Sequence, residues 1–202
     1  MRLARVPTAA LAALLLGGCT TLVMPQGAAN RAAWQDRQAR LELLRCWHLE
    51  GRIGVVTPDK GGSASFDWRE QGGRMTLQFS GPFGIGAVKL TGNAERFVIR
   101  NSKGEEWVTY TPSQALARTL GWPVPVASLR YWVTGRPAPG EPYELHLDAR
   151  GLVTSLEQQG WTVRYSAYMP VAGLLLPARL VASRPNGHIK LIVSEWNLGE
   201  RP

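Results

Sequence analysis

Between Ser63 and Leu90 the chain alternates apolar and polar residues and reverses direction twice, which fixes a β-ribbon with one oily side. Ala64, Phe66 and Trp68 share one side, while Ser63, Ser65, Asp67 and Arg69 share the other. After the Gln71-Gly72-Gly73 turn, Met75, Leu77 and Phe79 repeat the pattern. An antiparallel pair of this kind has a face that something else must cover. The second reversal, Gly81-Pro82-Phe83-Gly84-Ile85-Gly86, draws its turn from three glycines and a proline, yet puts Phe83 and Ile85 at the tip. Two readings stand: Phe83 folds back onto the sheet, or it stands out as a probe that enters lipid or an apolar partner.

The N-terminus bears on that choice. Arg2 and Arg5 precede an apolar run from Val6 to Leu16, closed by Leu16-Gly17-Gly18-Cys19. The run is shorter than the roughly 20 residues a bilayer span needs. Small residues before a cysteine are what signal peptidase II accepts once the thiol is acylated. Residues 1–18 therefore read as a cleaved lipoprotein signal peptide, with Cys19 as the lipidated N-terminus carrying palmitate-like chains. Thr20 stands where an aspartate retention signal would place Asp, so the expected location is the outer membrane of a Gram-negative bacterium, facing the periplasm. Residues 19–29, with Pro25, Gly27 and alanines, read as a flexible tether, and residues 30–202 as a single domain.

Removing 18 of the 202 residues leaves 184, of which enough are apolar for one sizeable core. Losing Arg2 and Arg5 lowers the formal charge from +8 to +6 without a polybasic block, which suits anionic headgroups or an acidic partner better than nucleic acid. Cys46 is the other cysteine, so no intramolecular disulfide is expected, and Cys46 reads as a small buried residue.

Asn30 is placed to cap a helix to about Arg45, with Trp34, Leu41 and Leu44 on its apolar side and Arg31, Asp36, Arg37 and Arg40 around the rest. Mixed charges beside a one-faced sheet favour packing on the sheet over lying on a membrane. Period-two stretches follow at 47–55, 63–69, 75–79, 87–91, 97–101 and 107–110. Thr111-Pro112-Ser113-Gln114 opens a helix ended by Gly121, and a second helix covers 126–134. Strands resume at 143–147, 152–158, 161–168, 176–183 and 188–196. About eleven strands at this spacing predict a large curved sheet or barrel whose concave face the helices cover.

The three histidines, His48, His146 and His188, form no HExxH arrangement, and neither CxxC nor GxSxG occurs. His146 and Asp148 share a strand face and read as solvated. The glycine-rich 81–86 loop lacks a following helix to hold a phosphate. No catalytic residue, metal or cofactor is expected. Eight tryptophans remain, with Phe66, Trp68, Leu77, Phe79 and Trp132 as candidates to line an apolar cavity; a filled core explains them equally well.

Several short motifs then occur in a telling order: Gly51-Arg52, Phe66-Asp67-Trp68, Gly81-Pro82-Phe83-Gly84, Gly121-Trp122-Pro123-Val124-Pro125, Leu129 to Gly135, Trp161 to Tyr165, and Trp196. With the lipobox, they resemble the family of the outer-membrane lipoprotein receptor LolB over nearly the whole mature chain. The resemblance implies an unclosed antiparallel β-barrel lidded by helices over an apolar cavity. It implies a monomer that takes triacylated lipoproteins from the periplasmic carrier LolA and releases them into the inner leaflet of the outer membrane. It also assigns membrane insertion to the loop Gly81, Pro82, Phe83, Gly84 and Ile85, where Phe83 replaces the leucine of the most comparable members. A lipocalin-like binder of a small apolar ligand and a structural lipoprotein are the alternatives.

Overall fold

A computed structural model describes residues 26–81, 86–93, 95–120 and 124–199. The signal segment, Cys19, residues 20–25, Pro82 to Ile85 and Gly121 to Pro123 lie outside the described residues. The chain opens with helix α1 (Gln26–Glu42) and six strands: β1 (Cys46–Val56), β2 (Gly61–Gln71), β3 (Arg74–Ser80), β4 (Val88–Gly92), β5 (Phe97–Asn101) and β6 (Glu106–Thr109). Helices α2 (Pro112–Leu120) and α3 (Val126–Trp132) follow. Five strands close it: β7 (Tyr143–Leu147), β8 (Val153–Gln158), β9 (Trp161–Val171), β10 (Leu174–Arg184) and β11 (Gly187–Asn197).

The sequence alternation of β2 and β3 survives as an antiparallel hairpin with Trp68 opposite Leu77 and Phe66 opposite Phe79. Gly72 and Gly73 take φ of +58° and +97° at its turn, which side chains other than glycine rarely adopt. All eleven strands form one antiparallel sheet in the order β6-β5-β4-β3-β2-β1-β11-β10-β9-β8-β7. The chain therefore starts at the centre of the sheet, works out to the β6 edge, crosses to the β7 edge, and returns to lay β11 against β1. Edges β6 and β7 do not pair with each other, so the barrel stays unclosed. The crossing is made by α2 and α3, so topology alone carries these helices from one edge to the other.

The β1–β11 register breaks between Glu50 and Gly51, as do β9–β10 around Arg179 and β7–β8 between His146 and Leu147, irregularities of the kind that bend a sheet. A Cβ on Gly51 would lie 2.1 Å from the Ile192 carbonyl oxygen and 2.9 Å from the Phe66 ring, so only glycine lets the strands approach there. The inward rows meet in one core that runs from Trp34 to Trp196 and includes Leu116 of α2 and Leu129 and Trp132 of α3.

Helix α1 departs from expectation at both ends. It already runs at Gln26, four residues before Asn30, because Ala28 and Ala29 favour helix more than Asn30 favours a cap. It stops at Glu42, since the Arg45 carbonyl accepts the Gly72 amide at 2.8 Å and commits the chain to the sheet. Trp34 and Leu41 are buried as expected, but Arg37 lies on the same face at spacings of three and four and is buried with them. Its guanidinium donates to the Leu175 carbonyl and sits 5.6 Å from the Tyr168 ring centroid, while Arg40 donates to the Gly173 carbonyl at 2.8 Å. The helix is thus fastened to the β9–β10 hairpin. Cys46 is half-buried, being the first residue of β1 where the chain leaves α1. Among the described residues no helix is long and apolar enough to cross a membrane.

Candidate functional site

The inward row of β2 is Ala64, Phe66, Trp68 and Glu70, and every member is buried. Three of the four are what an apolar lining requires. The fourth is a carboxylate, and helix α3 answers it: Arg130 donates to Glu70 Oε1, which also accepts the Gly73 amide at 3.1 Å. Two residues on, Trp132 is fully buried and donates from Nε1 to Gln158 Oε1 of β8 at 3.0 Å. Its ring centroid lies 6.1 Å from that of Trp161, and its carbonyl accepts the Tyr165 hydroxyl of β9 at 2.9 Å. This seven-residue helix is therefore bonded to β2 on one side and to β8 and β9 on the other. It straddles the concave face.

Gln158 is the hinge pin of that arrangement. Its Oε1 also accepts the Ala138 amide at 2.8 Å, and its Nε2 donates to the carbonyls of Ala138 at 2.8 Å and Glu141 at 3.3 Å. A buried amide with this many partners fixes where the chain after α3 rejoins the sheet.

Two openings flank Arg130 and Tyr131. One is an open groove of about 300 Å³ lined by Met75, Phe97, Pro112, Val126 and Tyr131, among others, where the core reaches the surface between the helices and the sheet. The other, about 240 Å³, is a polar cleft that includes Trp47, Glu70, Arg130, Tyr131 and Arg136. The Arg130 and Arg136 guanidiniums lie 5.6 and 5.7 Å from the Tyr131 ring centroid, so the two cations flank one aromatic ring. Burial pushes the Glu70 carboxyl above its usual range, opposed by the charge of Arg130 and the Gly73 amide. Burial likewise lowers Arg136, opposed by Tyr131 and Glu42.

The five residues singled out as cavity-lining candidates come together on this face. Phe66, Trp68, Leu77, Phe79 and Trp132 are all 4% exposed or less, and their neighbours Met75, Phe97 and Val126 form the groove wall instead. Gly81 follows β3, whereas Pro82, Phe83, Gly84 and Ile85, like Cys19, lie outside the described residues. Sequence reasoning missed Glu70, Arg130, Arg136 and Gln158. Glu70 was within reach, because it continues the Ala64-Phe66-Trp68 alternation inward.

Elsewhere, His48, Glu50 and Asp67 bring three possible metal-ligating atoms within 4.8 Å on the outer face. Asp67 Oδ2 there is shared between His48 at 3.1 Å and Arg69 at 3.0 Å, which satisfies it as an ion-pair acceptor. Asp148 serves the β7–β8 turn, accepting the amides of Arg150 at 2.8 Å and Leu152 at 2.9 Å, while His146 is exposed.

The sequence model of the family described as outer membrane lipoprotein LolB matches residues 45–196. This chain belongs to the LolB family. The matched span begins one residue before β1 and ends in β11, so the LolB family signature is the sheet together with α2 and α3. Curated LolB relatives agree: the outer-membrane lipoprotein LolB of Alkalilimnicola ehrlichii is 36% identical, covering 98% of this chain and 99% of its own. That of Nitrosococcus oceani is 32% identical over 98% of this chain and 100% of its own. The LolB of Stutzerimonas stutzeri is 33% identical over 91% of each. Among solved structures, a LolA superfamily protein from Nitrosomonas europaea shares the fold with a TM-score of 0.57 at 10% identity, covering 86% of this chain and 94% of its own. A DUF1329 family protein from Desulfovibrio piger does so with a TM-score of 0.53 at 8% identity, covering 86% and 93%.

Proposed function

We propose that this protein is an outer-membrane receptor that takes acylated lipoproteins from the periplasmic carrier LolA and delivers them to the inner leaflet of the outer membrane. Cys19 anchors it by lipid on the periplasmic side, and the domain works as a monomer. The observation that carries the reading is the bonding of α3 across an apolar concave face, with a groove entering beside it. Moving this short helix off the sheet breaks the Arg130–Glu70 pair and uncovers Trp132, so it opens only as entering acyl chains replace those contacts on the hydrocarbon-compatible surface beneath.

The chemistry of the cargo asks for this and for no catalysis. A triacylated cysteine exposes on the order of 45 methylenes, each worth roughly 0.8 kcal/mol on leaving water, so release into solvent is prohibitive. Chains must pass from one apolar surface to the next. A receptor that holds them better than the carrier and worse than a bilayer runs each step downhill without nucleotide. The groove as it stands accepts only part of such a cargo, so uptake moves α2 and α3 away from the sheet.

One observation favours a second reading, a structural lipoprotein with a filled core: the five candidate lining residues are closely packed. Titration separates the two. An apolar fluorescent probe should bind the chain saturably at about one site and be displaced by a triacylated lipoprotein. Absence of a saturable, displaceable site in the folded protein would favour the structural reading and reject the receptor.

A further inference from the structure

Two residues of the concave face carry polar atoms without partners, and they are neighbours. Trp68 and Glu70 lie two residues apart on β2, so both belong to its inward row, and both are buried. Each carries a buried atom with no hydrogen-bond partner: Trp68 Nε1, which can only donate, and Glu70 Oε2, which as a carboxylate oxygen accepts. Among the described residues the other side-chain atom in this condition is Arg37 Nε, on α1. Folded proteins rarely leave buried polar atoms unpaired, and such a pair on one strand face points to a ligand that supplies what is missing. A hydrocarbon chain supplies neither. A secondary amide supplies both, its N–H to the acceptor and its C=O to the donor.

We propose that Trp68 and Glu70, with Arg130, Tyr131 and Arg136 beside them, form a subsite for the amide-and-ester head of the acylated cysteine. This rests on the receptor reading and names the part of the cargo that reading leaves without a place. The layout fits. Arg130 and Tyr131 line both the apolar groove and the polar cleft, so chains entering one opening leave their head at the other. Glu70 lines the cleft itself, and Trp68 lies one layer behind it, its ring centroid 5.5 Å from that of Trp47 in the cleft wall, which stands opposite Glu70 on β1. The guanidiniums of Arg130 and Arg136 offer further donors to ester carbonyls. A free fatty acid, by contrast, brings a carboxylate toward Glu70 and no N–H.

The test uses the chain from residue 19 with Cys19→Ala, which keeps every described residue of the core. Two ligands compete with an apolar fluorescent probe: a triacylated cysteinyl peptide and a triacylglycerol with the same chains. Glu70→Gln keeps the shape and the Oε1 acceptor but replaces the unpaired oxygen by an NH2 donor. It should weaken the peptide about tenfold relative to the triacylglycerol, which reports any change common to both ligands. Methylating the N-acyl nitrogen of the peptide should cause the same loss in the unaltered protein, a readout independent of any folding defect. Equal loss of both ligands in Glu70→Gln, or full affinity for the methylated peptide, would overturn the subsite. If neither ligand displaces the probe from the unaltered protein, the receptor reading itself has failed.

Discussion

Trp132→Ala should destabilise the folded chain by about 3 to 5 kcal/mol, the usual range for deleting a fully buried aromatic side chain. For a domain of this size that corresponds to a fall in Tm of roughly 10 °C. Trp132 is 0% exposed and packs against Trp161, so truncation leaves a void that two layers cannot both collapse into. The Nε1 bond to Gln158 is a separate, smaller contribution, because Gln158 Oε1 keeps the Ala138 amide when the indole is gone. Trp132→Phe isolates it by keeping most of the ring and losing the donor, with an expected cost of about 1 to 2 kcal/mol. Urea unfolding of the three chains gives the comparison. A cost below about 1 kcal/mol for Trp132→Ala would mean that α3 rests loosely on the sheet and that its bonds to β8 and β9 contribute little.

Phe83→Glu should leave folding and cargo uptake intact while lowering delivery to liposomes on the order of a hundredfold. Under the proposed function the ring enters lipid as the cargo is released. A charged side chain taken into the bilayer costs about 2.5 to 3.5 kcal/mol on insertion scales, which sets the size of the loss. With the loop reaching out to lipid, as the proposed function has it, the same charge should change stability by no more than about 0.5 kcal/mol. Phe83→Leu should deliver normally, because the task calls for apolar area and makes no use of the aromatic ring. Cargo uptake and liposome delivery are measured separately, alongside thermal unfolding. Loss of uptake or of folding in Phe83→Glu would place the residue in the core or at the mouth of the cavity and end its role as a probe.

Much of the fold was legible because strand alternation is a local signal. Phe97–Asn101 and Tyr143–Leu147 have the bounds that period two and flanking turns predict, and Trp161 opens β9 as expected. Where one face is buried, the register has a single tolerable value, which is why β2 and β3 pair Trp68 with Leu77. Helix α1 was harder. Its start depends on a weak contest between alanine propensity and an asparagine cap, and Arg37 was assigned to the polar side because its charge outweighed its spacing from Trp34. The carbonyl of Leu175 and the ring of Tyr168, which make its burial tolerable, lie more than 130 residues away. The same limit hid the lid. Glu70 sits in the inward row of β2 for anyone who extends the alternation, but its partner Arg130 is 60 positions on, and nothing local pairs them. Gln158 and Trp132 are 26 positions apart and equally silent. Local pattern thus predicts which residues face inward, and long-range chemistry decides which of them hold the helices down.

Transfer from the carrier is the defining act of such a receptor. Carrier LolA loaded with a triacylated lipoprotein should be incubated with the Cys19→Ala chain without nucleotide, and the cargo followed by isolating each protein. The expected result is movement of most of the cargo onto this chain, with no return to empty carrier. Cargo that stays on the carrier when the folded chain is in excess would contradict the receptor reading.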